Sequence, residues 1–233
     1  MIGKRVLVIG GSSGIGLSLT SKLLSEGSEV VIASRNIDKL EVAKNKFAGK
    51  ISSYQLDASD EQSVIRFFKE IGGFDCLVST IKPDHLISDF TDSNVEDAKR
   101  AFDAKFWGQY QLIRHSLNTI SKDCCIVLTS GIASNRGYRE FSGTAAINGA
   151  IESLVGSLSV ELAPIRVNAV SPGFIERFGE DSERLSLVND LGSRIPLKRL
   201  GTHDEASESY LYLLKNKYTT GTILKVDGGE LCA

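Results

Sequence analysis

Lys4-Arg5-Val6-Leu7-Val8-Ile9-Gly10-Gly11-Ser12-Ser13-Gly14-Ile15-Gly16 is the stretch whose reading decides the fold. A short apolar run ends in a loop with glycine at 10, 14 and 16, and a helical pattern begins at once. Glycine at these places lets the backbone turn tightly and approach a pyrophosphate, whose charge then sits at the helix N-terminus. A glycine loop by itself is weak evidence. The strand before it and the helix after it supply the context of a dinucleotide-binding turn. Ile15 continues the loop, and Ser12 and Ser13 add hydroxyl donors to it.

The rest of the chain repeats the pattern. Apolar runs over residues 5–9, 29–33, 51–56, 74–79, 124–129, 166–170 and 222–226 are near-continuous rather than alternating, as parallel strands covered on both faces are. Helical patterns over residues 14–25, 37–47, 61–71, 95–119, 144–162 and 204–215 separate them. Strand then helix, repeated, predicts an α/β protein: a doubly wound parallel sheet of the Rossmann type, seven strands with helices on both faces. Right-handed crossovers fix most of the topology.

At 233 residues the chain suits one α/β domain over residues 1–233. A domain this size buries roughly 70% of its unfolded surface, so it needs neither a disulfide nor a metal to hold it. The 27 Lys and Arg against 29 Asp and Glu give no electrostatic reason to expect nucleic acid. No apolar run is long enough to span a membrane, and a strand begins too early to leave room for a signal peptide. Cys76, Cys124, Cys125 and Cys232 lack metal-binding spacing and read as unreactive thiols of a cytoplasmic protein. The least regular stretch, residues 174–200, follows a strand end. It reads either as a solvated loop or as a flap covering a substrate.

The second strand closes with Ser34-Arg35-Asn36, where a site selective for NAD carries a carboxylate that accepts from the ribose 2′-hydroxyl. An uncharged Ser34 removes the repulsion against a 2′-phosphate, and the planar fork of Arg35 can grip one. NADP(H) is the expected cofactor. Asn36 is placed to cap the helix that follows.

Taken with the glycine loop, Leu56-Asp57-Ala58, Arg166-Val167-Asn168-Ala169-Val170-Ser171-Pro172-Gly173, Ile195-Pro196-Leu197-Lys198-Arg199-Leu200-Gly201 and Val226-Asp227-Gly228-Gly229 carry a resemblance. Over nearly its full length the chain resembles the single-domain short-chain dehydrogenase/reductases. The resemblance implies that Asp57 and Ala58 border the adenine. It also implies that Pro172, Gly173 and Ile175 face the nicotinamide carboxamide, with Ser79 and Thr80 closing the fourth strand beside the cofactor.

The family's reductive chemistry uses a Tyr proton donor, a Lys that lowers its pKa, a Ser that orients the substrate and an Asn that anchors a relay water. Ser130, in Leu128-Thr129-Ser130-Gly131, matches the Ser. The Tyr and Lys places fall on Thr144 and Asn148, the Asn place falls on Lys105, and Arg177 stands where a Thr is expected after the Pro-Gly turn. Neither Thr nor Asn donates a proton near neutral pH, which leaves two readings. In the first, the site is rebuilt around Ser130, with Lys105 anchoring the ribose, polarising a carbonyl or donating a proton. His85 is a second candidate donor there, and Arg136 and Tyr138 are candidates to enter the pocket. The expected activity is then NADPH-dependent reduction of a small-molecule carbonyl or imine, or the reverse alcohol oxidation. In the second, NADP(H) is a non-redox ligand of a sensor, a partner-binding module or a non-redox catalyst. A sensor requires different affinities for its two redox forms.

The helices over 95–119 and 144–162 carry Phe102, Phe106, Trp107, Tyr110 and Leu112, then Ile147, Ile151, Leu154, Leu158 and Leu162. This is more apolar surface than one sheet covers, and it predicts a homodimer or homotetramer, with Gly108 and Gly149 allowing close helix approach.

Overall fold

A computed structural model of the chain describes residues 1–83, 88–176 and 192–233. Seven parallel strands stand in the order β3-β2-β1-β4-β5-β6-β7. They are β1 (Arg5–Ile9), β2 (Glu29–Ser34), β3 (Ile51–Gln55), β4 (Phe74–Ser79), β5 (Ile120–Thr129), β6 (Arg166–Pro172) and β7 (Ile223–Val226). The order reverses between β1 and β4, which opens a crevice at their C-terminal ends. The helices are α1 (Gly14–Ser25), α2 (Ile37–Lys46), α3 (Glu61–Ile71), α4 (Val95–Phe102), α5 (Gly108–Ser116), α6 (Ser142–Glu161) and α7 (His203–Lys215).

Alternate residues along the strands feed two apolar layers. Leu7, Leu77, Ile126 and Val167 join Val64, Phe67 and Phe68 of α3, Leu112 of α5 and Ile147, Ile151 and Val155 of α6 on one face. Val6, Val8, Val78 and Val127 join Leu19 and Leu23 of α1, Leu40 of α2 and Tyr210, Leu213 and Leu214 of α7 on the other. Cys76, Cys124 and Cys125 are buried, and burial pushes the Cys125 thiol up to about 12. Cys232 is exposed.

Two elements depart from the expected pattern. The fifth strand starts at Ile120, four residues before its apolar run, because Phe74 pairs with Ile120 across a register shift. The long helix expected over 95–119 is interrupted by a π-helical turn, Asp103–Trp107, and ends at Ser116. Hydrophobic periodicity does not register such a turn, because the apolar face carries on through it.

Candidate active site

The glycine loop forms the floor of the crevice. Gly10 has φ +86° and Gly14 φ +53°, backbone conformations that L side chains rarely adopt. A Cβ on Gly10 or Gly16 would collide with Thr80 Oγ1. Thr80 donates to the Ile9 carbonyl through both its hydroxyl, at 3.0 Å, and its amide, at 2.8 Å. The end of β4 therefore props the loop that follows β1. Ser13 stands at the N-cap of α1 without a capping hydrogen bond, and the first turn of α1 carries no acidic residue. An uncapped helix N-terminus behind a loop closed to side chains fits a pyrophosphate.

Around the ribose end, Ser12 donates to the Ser34 hydroxyl at 3.0 Å, and Ser34 donates to the Asn36 carbonyl at 3.3 Å. The Asn36 side chain accepts the Lys39 amide at 2.8 Å, the cap expected of it. Arg35 and Asp57 line one cavity of about 430 Å³ together with Tyr54, Ser63 and Arg66. Asp57 is oriented by Ser59, whose amide and hydroxyl both donate to Oδ1, at 3.0 and 2.6 Å.

On the far rim, Gly173 donates to the Val226 carbonyl at 2.9 Å, and a Cβ there would strike Asp227. Gly228 lies against Ile195, and Ile175 pairs with Gly201. These contacts gather Pro172 and Gly173, the 195–201 segment and the 226–229 segment into one wall. The Ser79 side chain is fully buried at the end of β4, and its hydroxyl has no hydrogen-bond partner among the described residues.

The candidate centre around Lys105 and Ser130 lies where the π-helical turn meets the end of β5 and the middle of α6. Lys105 is buried, and its ammonium donates to the Ser130 carbonyl at 2.8 Å and to Asn148 Oδ1 at 2.7 Å. Asn148 in turn donates to the Gly131 carbonyl at 3.1 Å. Burial disfavours the charged amine and brings Lys105 down from 10.5 to about 7, while the Glu152 carboxylate pulls weakly the other way. An ammonium has three donors. Among the described residues two are engaged.

The Ser130 hydroxyl donates to Glu152 Oε1 at 3.0 Å, an oxygen that also receives Ser134 at 2.6 Å. Asn135 reaches Glu152 Oε2 at 3.3 Å. Glu152 was not singled out from sequence, nor was Gln109. The Gln109 amide donates to the carbonyls of Lys105, at 3.1 Å, and Thr129, at 3.3 Å, and accepts the Thr129 amide at 3.0 Å. It ties the π-helical turn to the strand carrying Ser130. π-helical turns occur often at functional sites, and this one aims a lysine. In the sequence, Gln109 and Glu152 look like two more polar residues on helix surfaces.

The other candidates lie elsewhere. Tyr138 donates to Glu230 Oε1 at 3.2 Å, and burial beside that carboxylate pushes its phenol up to about 12. Arg136 binds the carbonyls of Glu230, at 2.6 Å, and Ala233, at 3.1 Å. Both side chains fasten residues 230–233. His85, Arg177 and residues 177–191 of the expected flap lie outside the described residues. The ends of that segment are pinned together: Gly201 donates to Phe174 at 3.0 Å and Glu176 to Gly201 at 2.9 Å. No helix among the described residues is long and apolar enough to cross a membrane.

A family model described as Enoyl-(Acyl carrier protein) reductase matches residues 10–230. The short-chain dehydrogenase/reductase ATR9 of Stachybotrys chlorohalonatus is 31% identical over 97% of this chain and 96% of its own. Among solved structures, a small-chain dehydrogenase in complex with NADPH is 34% identical, with a TM-score of 0.86 over 99% of this chain and 100% of its own. An NADPH-bound short chain oxidoreductase from Pseudomonas aeruginosa PAO1, described as containing an atypical catalytic center, is 27% identical, with a TM-score of 0.88 over 97% of this chain and 96% of its own. The chain belongs to the short-chain dehydrogenase/reductase family of NAD(P)-dependent oxidoreductases.

Proposed function

We propose that the protein is an NADPH-dependent reductase of a small carbonyl or imine compound, working in reverse as an alcohol or amine dehydrogenase, with Lys105 as its proton donor. The observation that carries this reading is the buried Lys105 ammonium, held by the Ser130 carbonyl and Asn148 and brought to about 7. A general acid works best with a pKa near the operating pH. NADP(H) is the cofactor. The small-chain dehydrogenase and the Pseudomonas oxidoreductase are described with NADPH, and Ser34 and Arg35 suit a 2′-phosphate.

The glycine loop with Ser12, Ser34 and Arg35 would hold NADPH, which when bound would supply the hydride for the carbonyl or imine carbon. Lys105 gives its ammonium proton to the substrate oxygen or nitrogen, and the neutral amine recovers a proton from solvent. Ser130 turns its hydroxyl from Glu152 to the substrate and orients it. Asn148 holds the Lys105 nitrogen in either protonation state, since its amide oxygen accepts from an amine as from an ammonium. Reduction slows as pH rises above about 7, where Lys105 loses its proton. Oxidation, which needs the neutral amine, gains over the same range.

The working form is a homodimer or homotetramer built on α4, α5 and α6. Trp107 and Tyr110 stand half-exposed in one aromatic cluster with Phe106, which suits a second copy. Gly149, with open space beside it, admits a close neighbour. Gly108 does not, because it already packs on Ala58.

The test follows absorbance at 340 nm with NADPH and a panel of carbonyl and imine compounds, comparing the parent with Lys105→Met and Ser130→Ala. Both substitutions are expected to lower kcat by at least about 100-fold, the lower range for loss of general acid catalysis. Turnover untouched by either would overturn the assignment, as would an absence of turnover across the panel in the parent.

A further inference from the structure

His203 opens α7, and its ring is turned to the first turn of α1. A Cβ built on Gly14 would lie 3.3 Å from His203 Nε2. The side chain is 14% exposed, and Nδ1 lies 3.9 Å from Glu176 Oε1. The imidazole thus stands at the mouth of the helix N-terminus that fits the pyrophosphate.

The position is rigidly made. Thr202 and Glu205 form a capping box at the start of α7, and Arg199 pairs with Glu205. Ser18 of α1 contacts Asp204 and Ser207 of α7, at 3.3 and 3.1 Å. Lys22 of α1 pairs with Asp204 and Glu208, at 2.8 and 2.6 Å. These contacts fix the start of α7, and with it the backbone of His203, against α1.

We propose that His203 is a cofactor-contacting residue that takes up a proton when NADP(H) binds, so that an imidazolium faces the pyrophosphate. The groups around the ring support this. Among the described residues, Glu176, after β6, and Lys82, after β4, are the charged neighbours on the facing segments. Of the charges on the helices, Asp204 and Glu208 are taken up by Lys22, and Glu205 by Arg199. Burial holds the imidazole below its ordinary value against the pull of Glu176, with a lesser contribution from Lys82, which favours the neutral ring at pH 7 before the cofactor arrives. Two negative phosphates brought to Nε2 reverse that balance and favour the charged ring. The proton comes from solvent, and NADP(H) binds more tightly as pH falls. The inference rests on the dinucleotide cradle and not on the role of Lys105, so failure of one leaves the other standing.

Calorimetry of NADP⁺ binding near pH 7, in phosphate and in Tris, reads the proton uptake directly from the difference in apparent enthalpy. The 2′-phosphate titrates in this range too, but it contributes equally to parent and variants. The parent is expected to take up substantially more protons per cofactor than His203→Gln, with one proton as the ceiling. His203→Lys, charged throughout, is expected to keep the affinity and lose the uptake. A second readout needs no variant: the His203 ring proton followed by NMR across pH, with and without NADP⁺. Its midpoint should rise on binding. Equal proton uptake in parent and His203→Gln, or an unmoved midpoint, would overturn the proposal.

Discussion

Lys105→Met isolates the energetic consequence of burying a lysine beside Ser130 and Asn148. Burial lowers Lys105 from 10.5 to about 7, which corresponds to about 5 kcal/mol between the charged and neutral forms in the folded protein. Between pH 7 and 10.5 the folded state binds fewer protons at this site than the unfolded chain does. Stability from this group therefore rises with pH across that window. Below pH 7 the full penalty of about 5 kcal/mol applies, by pH 9 it has fallen to about 2 kcal/mol, and near 10.5 it is almost gone. Met fills the space of the lysine stem without a charge. It leaves the Ser130 carbonyl and Asn148 Oδ1 without this donor, a loss that does not depend on pH. Relative to Met, the parent should therefore gain about 2 kcal/mol between pH 7 and pH 9. For a protein of this size that is a relative Tm change of about 4–8 °C. Urea unfolding of both proteins at pH 6, 7, 8 and 9 measures the difference, in which all other titrating groups cancel. Parallel stability curves would refute the reasoning, because they would mean that Lys105 titrates alike in the folded and unfolded chains.

Glu152→Gln removes the negative charge that favours the Lys105 ammonium, so the upper limb of the reduction pH profile should move to lower pH; an unchanged or raised limb counts against the network. Arg35→Ala should weaken NADPH binding by about 1.5–3 kcal/mol and leave NADH binding nearly unchanged, measured by fluorescence titration of both nucleotides; equal losses for the two would show that Arg35 does not read the 2′-phosphate. Gly10→Ala places a side chain at φ +86° against Thr80 and should destabilise the fold by at least about 1 kcal/mol in thermal unfolding while lowering cofactor affinity. Light scattering behind a sizing column should give a particle of at least twice the 25.2 kDa of one chain at micromolar concentration, and Trp107→Glu should shift it toward that mass. A parent protein that already runs at the mass of one chain would remove the α4–α5–α6 interface.

The fold was legible because its strands are buried on both faces and read as continuous apolar runs, while the caps and glycines stand where the backbone demands them. Asn36 capping α2 and Gly14 at positive φ are local requirements, and local requirements show in sequence. The wall joining Gly173, Ile195, Gly201 and Gly228 was legible only as separate motifs, since the contacts between them run across the sheet. The centre was legible in its residues but not in its bonds. Lys105 and Ser130 could be picked out, yet Gln109 and Glu152 could not, because a buried polar side chain and a solvated one use the same letter. Periodicity was also blind to the π-helical turn. The bond of the Tyr138 hydroxyl to Glu230 was likewise illegible, because the two residues lie far apart in sequence.

The resemblance to the family places an asparagine at 105 and a lysine at 148, and this chain carries the two residue types in each other's place. Their side chains still meet, at 2.7 Å, across α6 and the π-helical turn. A bond between an ammonium donor and an amide oxygen survives such an exchange, because each helix needs only to present the complementary partner. What moves is the location of the charge. At 148 an ammonium would project from the middle of α6; at 105 it projects from a turn that Gln109 ties to the end of β5, under the Ser130 carbonyl. With Thr144 on α6 offering no acid, the proposed reduction calls for a group whose pKa burial can bring near neutrality. A lysine meets that need by losing solvent, whereas burial drives a tyrosine further from it, as Tyr138 and Tyr210 both show. On the proposed role of Lys105, the exchange and the missing phenol are one change rather than two: moving the cation into the core would turn it from a charge that assists a donor into the donor itself.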